Sequence, residues 1–379
     1  MSNELMEVVD VAVIGAGAAG VGIGVALQDF GIHRIAILER EFVGASFERW
    51  PREMRFLTPS FVSNQFGWLD HNAVCLGTSP AFTLRVEHPN GKEYARYLRA
   101  VAAHFALPVW EQVAVETINP LRAQDAGFEI VTDQGNVHAR FVVWAAGEYQ
   151  YPNLTPFPGA ELCRHNSRVA SWSEIAGDDF IVIGGSESGV DAAIHLARAG
   201  KKVRVLEKRP TWSENSSDPS AVLSPYTRER LNEVFKTNRI EFIAYAEALG
   251  VSPHGAGYRV FCNDNHKFDT PDPPILANGF SGSVTLVKEL FARRKSGASP
   301  LLTEADESTV TPGVFLVGPL VSHEETRFSL IYQFRQRLAV VARQIALRLG
   351  LETAQMEMRY RRGGMFLDDL SLCEDECKC

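Results

Sequence analysis

Short apolar runs alternate along this chain with longer stretches of helical spacing, the pattern of parallel strands joined by helices. Residues 8–14, Val-Val-Asp-Val-Ala-Val-Ile, carry one charge and have the length of a buried parallel strand. They run into Gly15-Ala-Gly17-Ala18-Ala19-Gly20, then a helix of small and aliphatic residues over 21–30, ended by Gly31. Arg34-Ile-Ala-Ile-Leu-Glu39 reads as a second strand. The same order recurs with a strand at 179–183, the turn Gly184-Gly185-Ser186-Glu187-Ser188-Gly189, a helix over 190–199, and a strand over 202–207 ending on Glu207. Further elements are a helix over 93–106, a hairpin over 128–144 whose buried strand leads to Gly147, a short strand over 313–318 and a helix over 329–349. Apart from the paired turns there is no internal repeat.

Each part of the paired pattern has a physical task. Gly15 permits the tight turn, Gly17 lets a pyrophosphate approach the backbone, and Gly20 lets the helix pack on the strand. The helix N-terminus supplies free N–H groups and partial positive charge. Glu39, 19 residues after Gly20, is placed to accept from ribose hydroxyls. Two such units, 169 residues apart, exclude a simple one-cofactor dehydrogenase. They point to FAD at the first turn and a nicotinamide at the second, so that hydride passes from nicotinamide to flavin. Glu207 repels a 2′-phosphate and favours NADH, whereas Lys208 and Arg209 attract one. The balance leans to NADPH, with NADH open.

The bulk composition narrows the class. With 379 residues, 45% hydrophobic and 22% charged, the chain is an ordinary globular enzyme of two domains. A net charge of -8 argues against nucleic-acid or acidic-membrane partners, and no apolar run approaches a membrane span. The acidic start Met1–Glu7 does not read as a signal peptide, so a cytoplasmic location is the expectation. Cys75, Cys163 and Cys262 are scattered and read as buried free thiols.

The segments Gly15–Gly20 with Glu39 and Arg40, Trp144-Ala-Ala-Gly147, Gly184–Gly189, and Thr311-Pro-Gly-Val-Phe-Leu-Val-Gly318 resemble the two-dinucleotide-domain flavoproteins. Within these, the chain is similar to the branch holding flavin-containing monooxygenases and thioredoxin-reductase-like bacillithiol-disulfide reductases. Trp50-Pro-Arg-Glu-Met-Arg-Phe-Leu-Thr-Pro resembles the monooxygenases' flavin-side loop, which would place Trp50, Arg52, Met54 and Asn64 there. The resemblance implies an α/β fold with two Rossmann-like dinucleotide-binding domains, the NAD(P) domain inserted in the FAD domain. The implied FAD domain is 1–159 with 279–365, the NAD(P)H domain 160–278, and 366–379 a flexible tail; the Pro-rich stretches at 151–159 and 270–279 suit the connections. Four departures stand out. The inserted region has no Cys-x-x-Cys, Ala19 stands where the bacillithiol-disulfide reductases carry a cysteine, and the usual closing Gly-Asp of the FAD site is Gly318-Pro319. The spacing of His165 after Phe157-Pro-Gly159 is looser than in the monooxygenase signature.

The end of the chain, Cys373-Glu-Asp-Glu-Cys377-Lys-Cys379, holds three thiols in seven residues. One reading is a mobile dithiol that passes electrons to a disulfide; a second is a soft-metal site; a third is a tail without a role. His323, after Gly318, is either a proton donor near the flavin or an ordinary loop histidine. The expected activity is reduction of FAD by NAD(P)H, then delivery to a small-molecule or protein disulfide through Cys373, Cys377 and Cys379. The alternatives are a monooxygenase that spends NADPH and O2 on a small nucleophile, a nucleotide-responsive regulatory flavoprotein, and a plain NAD(P)H oxidase. Assembly as a homodimer stays open.

Overall fold

The computed structural model describes residues 7–62, 69–121, 127–210, 212, 222–293, 299–324 and 326–370. Strand β1 (Glu7–Ile14) leads into helix α1 (Ala18–Asp29), and β2 (Ile35–Leu38) follows. Next come the short helices α2 (Ala45–Glu48) and α3 (Pro80–Leu84), then α4 (Gly91–His104). Strands β3 (Val109–Trp110), β4 (Val115–Pro120), β5 (Phe128–Thr132) and β6 (Gly135–Trp144) complete the first stretch. The chain continues through β7 (Arg164–His165), β8 (Asp179–Ile183), α5 (Glu187–Arg198), β9 (Lys202–Glu207), α6 (Pro225–Phe235) and β10 (Ile240–Ala244). An antiparallel meander of β11 (Ala248–His254), β12 (Gly257–Cys262) and β13 (Lys267–Thr270) precedes β14 (Ile275–Leu276). The last elements are β15 (Val314–Leu316), the hairpin β16 (Ser322–His323) and β17 (Thr326–Arg327), α7 (Ile331–Arg348) and α8 (Ala354–Arg362).

The chain forms two compact units. The first comprises 1–48, 59–148 and 282–375. Its seven-stranded sheet runs β3-β2-β1-β6-β5-β4, with β15 also on β6. Strands β1, β2, β3, β6 and β15 are parallel, and β5 pairs antiparallel with the opening half of β6. One long strand thus serves both halves: Gly135–Ala139 face β5, while Val142–Trp144 face β15. Val11, Ala12, Val13, Val142, Val143, Val314, Phe315 and Leu316 are wholly buried, as two-sided parallel strands demand. Helix α4 is closed at its N-terminus by a capping box between Asn90 and Glu93.

The second unit comprises 49–58 and 149–281. Its five-stranded sheet, β10-β9-β8-β14-β7, is parallel throughout, and the meander forms a separate three-stranded sheet. The expected boundary at 159 therefore falls inside this unit, and Arg49–Thr58, read from sequence with the first domain, clusters with the second. One side chain explains the latter. The Glu53 carboxylate accepts from Ser171 Oγ at 2.6 Å, Ser173 Oγ at 2.9 Å and the Trp172 N–H at 3.0 Å. The Arg52 N–H donates to the Ala170 carbonyl at 2.9 Å, and its guanidinium pairs with Glu174. Burial alone would raise the Glu53 carboxyl, but the donors from Ser171, Trp172 and Ser173 outweigh it and hold it down to about 2. Its contribution to stability is therefore present above the ordinary carboxylate range and is lost as pH falls towards 2.

Replacing Glu53 with Gln should lower the melting temperature by about 2–4 °C at pH 7, the effect of roughly 1 kcal/mol in a unit of this size. Calorimetry from pH 7 down to pH 2 checks it; the gap between variant and wild type should close as the acid limit is approached.

Candidate functional site

At the first glycine turn the backbone is packed too closely for side chains. Gly15 has φ +104°, and a Cβ there would stand 2.9 Å from the Ala145 carbonyl oxygen. A Cβ on Gly20 would lie 1.8 Å from the Gly15 oxygen, so helix and strand meet backbone to backbone. Gly17 differs: nothing lies within 4 Å of its Cβ position. It is the N-cap of α1, gives no side-chain cap, and is followed by a first turn without an acid. Ala18 and Ala19 are buried in that turn. The amides at the start of α1 are thus left for a ligand, whereas α4 and α6 are capped by Asn90 and Ser224. Glu39, buried, closes the turn: Oε2 accepts from the Ala16 N–H at 2.7 Å and Oε1 from the Glu41 N–H at 2.9 Å. Burial raises its carboxyl, and the two amide bonds only partly offset that. Each oxygen keeps a lone pair for a ribose hydroxyl. Arg40 is half-exposed, with Glu41 at 3.8 Å.

The second turn repeats this geometry. Gly184 has φ +108°, and a Cβ on Gly189 would lie 1.8 Å from the Gly184 oxygen. Glu207 Oε2 accepts from the Gly185 N–H at 2.5 Å and Oε1 from the Arg209 N–H at 3.1 Å. Gly185 is also required because Trp212 Cζ3 stands 2.4 Å from where its Cβ would be. Ser186 is the uncapped N-cap of α5, the place Gly17 holds in the first unit, and Ser188 lies half-buried in the first turn. Glu187 turns elsewhere: its carboxylate accepts from the Ser224 N–H and, at 2.6 Å, from Thr227 Oγ1. It therefore fastens α6 to α5, reinforced by the buried Arg230–Asp191 pair at 2.6 Å. Lys208 and Arg209 are exposed beside Glu207.

The remaining sequence candidates divide. Gly147, at φ +65°, accepts from the Ser283 N–H at 3.0 Å and has nothing within 4 Å of its Cβ position. Gly318, at φ +96°, stands with its Cβ position 3.0 Å from the Ala19 Cβ, so the turn carrying Gly318 and Pro319 abuts the start of α1. Trp50 belongs to the second unit, its ring 5.0 Å from Phe56 and 6.1 Å from Tyr149. His165 is buried between Ser167 Oγ at 2.9 Å and the Gly279 carbonyl at 3.1 Å, a structural placement. Asn64, Cys373, Cys377 and Cys379 lie outside the described residues. His323 bonds a partner that no local pattern announces: Nε2 lies 2.6 Å from Asp306 Oδ1, and Asp306 is held in turn by Arg337. Among the described residues no helix is long and apolar enough to cross a membrane, and no cluster of three or more His, Cys, Asp or Glu could hold a metal.

Residues 12–318 match the pyridine nucleotide-disulphide oxidoreductase family. The chain belongs to that family. It is 27% identical over 200 residues to an uncharacterized CzcO-like oxidoreductase of Geobacillus kaustophilus, covering 51% of this chain and 53% of that one. The chain spans about half the length of this curated relative. Among solved structures, the bacillithiol disulfide reductase Bdr of Staphylococcus aureus superposes with a TM-score of 0.72 at 20% identity, over 90% of this chain and 99% of its own. A flavin-containing monooxygenase from Stenotrophomonas maltophilia gives 0.70 at 18% identity, over 91% and 100%. These likenesses establish the two-unit α/β fold. FAD and a pyridine nucleotide are the cofactors of this family, and the two uncapped helix N-termini, each behind a glycine turn closed by a carboxylate, fit them.

The two glycines of the first turn separate folding from binding. Gly17→Ala should fold with wild-type stability, since its Cβ meets no protein atom, yet bind FAD at least tenfold more weakly (about 1.4 kcal/mol). Gly20→Ala should fail to accumulate as folded protein. Thermal melts and flavin-fluorescence titration read both outcomes.

Proposed function

We propose that the chain is an FAD-dependent NAD(P)H oxidoreductase that reduces a disulfide. In this reading Gly15, Gly17, Ala18, Ala19, Gly20 and Glu39 hold FAD, with Gly147, Gly318 and Pro319 lining it through backbone. Gly184, Gly185, Ser186, Ser188, Gly189 and Glu207 hold the nicotinamide dinucleotide. NADPH is the proposed donor: Lys208 and Arg209 stand exposed beside Glu207, where they can pair with a 2′-phosphate. The residues of the chain bind, orient and exclude water; bound FAD supplies the two-electron transfer between nicotinamide and acceptor.

The observation that carries the disulfide reading is the sulfur inventory. Cys75 and Cys262 are buried and Cys163 is half-buried, all three free. Burial pushes the Cys75 and Cys163 thiols up to about 12 and the Cys262 thiol up to about 11, where the nucleophilic thiolate is scarce. This leaves Cys373, Cys377 and Cys379 as the chain's remaining thiols for a relay. The root of that segment is fixed: Asp368 pairs with Arg361 at 2.6 Å, Phe366 lies under the Arg343 and Arg361 guanidinium groups, and the Leu367 carbonyl accepts from Arg337 at 2.5 Å. The likeness to the Bdr reductase, whose name states a bacillithiol disulfide substrate, agrees with a disulfide acceptor.

Anaerobic reduction with NADPH or NADH, followed by titration of free thiols, tests this. Wild type should gain reducible thiols and pass electrons to added disulfide, and a chain truncated before Cys373 should lose most of both while its flavin is still reduced. Unchanged thiol count and flavin reoxidation in the truncated chain would contradict the relay, and O2 consumed in step with a substrate would favour the monooxygenase reading.

A further inference from the structure

Inside the first unit a second set of groups has chemistry of its own. Asp306 is wholly buried at φ +60°, a left-handed conformation that aspartate tolerates. Its carbonyl accepts from the Leu316 N–H at 2.9 Å, which places it at the carboxyl end of β15, two residues before Gly318. Arg337, wholly buried on α7, donates Nε to Asp306 Oδ2 at 3.0 Å and Nη2 to Oδ1 at 2.9 Å. Both Asp306 oxygens therefore serve as acceptors of the guanidinium's N–H groups. The third member is His323 on the β16–β17 hairpin, whose Nε2 meets Asp306 Oδ1 at 2.6 Å.

The tautomer follows from that arrangement. An acceptor-only carboxylate requires the proton on Nε2, so Nδ1 carries the lone pair of the neutral ring and the second proton of the charged ring. Among the described residues Nδ1 has no partner, while the side chain is 12% exposed and its ring packs edge-on to Phe328 at 6.3 Å. The Arg337 guanidinium lies 5.8 Å over the same Phe328 ring. An orienting carboxylate, itself fixed by a buried cation, with the far ring nitrogen open, is the layout of a positioned acid–base imidazole. The same guanidinium also holds the Leu367 carbonyl at the root of the C-terminal segment.

We infer that His323 is the proton donor to the departing thiolate in disulfide reduction, and that Asp306 and Arg337 are its positioning residues. The inference rests on the disulfide reading above. The balance is NAD(P)H + H+ + RSSR → NAD(P)+ + 2 RSH: the hydride brings two electrons and one proton, the S–S bond breaks, and one further proton comes from water. His323 delivers that proton from Nδ1 to the leaving sulfur and recovers it from solvent, while Nε2 stays on Asp306.

Two disulfides of opposite demand test the step in FAD-loaded full-length protein. An aromatic disulfide, 5,5′-dithiobis(2-nitrobenzoate), releases a stable thiolate that needs no proton; 2-hydroxyethyl disulfide releases a basic alkyl thiolate that does. His323→Gln should lower kcat on the alkyl disulfide on the order of 10²-fold, and leave the aromatic disulfide and flavin reduction by NADPH within a few-fold of wild type. Asp306→Asn should shift the ratio of the two substrates in the same direction. Nitrogen-15 histidine NMR gives the independent readout: the neutral His323 ring should be the Nε2–H tautomer in wild type and lose that preference in Asp306→Asn. Equal losses on both disulfides, or an Nδ1–H ring in wild type, would overturn the inference. If wild type turns over neither disulfide, the disulfide reading and the donor role fall together, and the ring tautomer still decides whether Asp306 orients His323.

Discussion

Each dinucleotide turn of this chain is held by a carboxylate that reaches back from a strand end to a backbone amide. Glu39 bridges Ala16 and Glu41, and Glu207 bridges Gly185 and Arg209. A buried amide without a partner costs about 1–3 kcal/mol, so these acids fix the turn before any ligand arrives. The turn in turn fixes the helix, because Gly20 and Gly189 seat α1 and α5 directly against the carbonyls of Gly15 and Gly184. Neither helix N-terminus carries a side-chain cap, which suits the binding of a pyrophosphate.

What was legible in the sequence was local. β1, α1 and β2 lie within two residues of their expected places over most of their ends, and β8 and β9 match theirs, because strand, turn, helix and acid are contiguous and each part has its own compositional signal. Contacts across long separations were not legible. Arg49–Thr58 joins the second unit through Glu53 and residues some 118–120 positions away, a pairing that no local pattern announces. Glu187 sits in a turn read wholly as cofactor-binding, yet its carboxylate serves α6. Arg337 falls in a helix visibly rich in arginine, where a solvated and a buried guanidinium look alike in the sequence. His323 stands out in the sequence, whereas nothing there marks its partner Asp306, 17 positions away.

The buried charges divide into two kinds of work. Asp191 with Arg230 and Glu53 with its serines join elements, and a neutral, well-packed replacement could in principle do the same. Asp306 with Arg337 differs in that His323 Nε2 is hydrogen-bonded to the carboxylate at 2.6 Å, whereas His195 Nε2 stands 3.5 Å from Asp191 Oδ1. Burial also acts on the thiols of both units, pushing up Cys75, Cys163 and Cys262 so that the nucleophilic thiolate is scarce there.

In the proposed reaction one turn holds FAD, the other a nicotinamide dinucleotide, and their electrons go to a disulfide. The most direct measurement mixes the FAD-loaded protein with NADPH under argon and follows the flavin's visible absorbance. The flavin should bleach, stay bleached until a disulfide is added, and then recover with release of two thiols per NADPH. Absence of bleaching, or a reduced flavin that no disulfide reoxidises and only O2 restores, would contradict it.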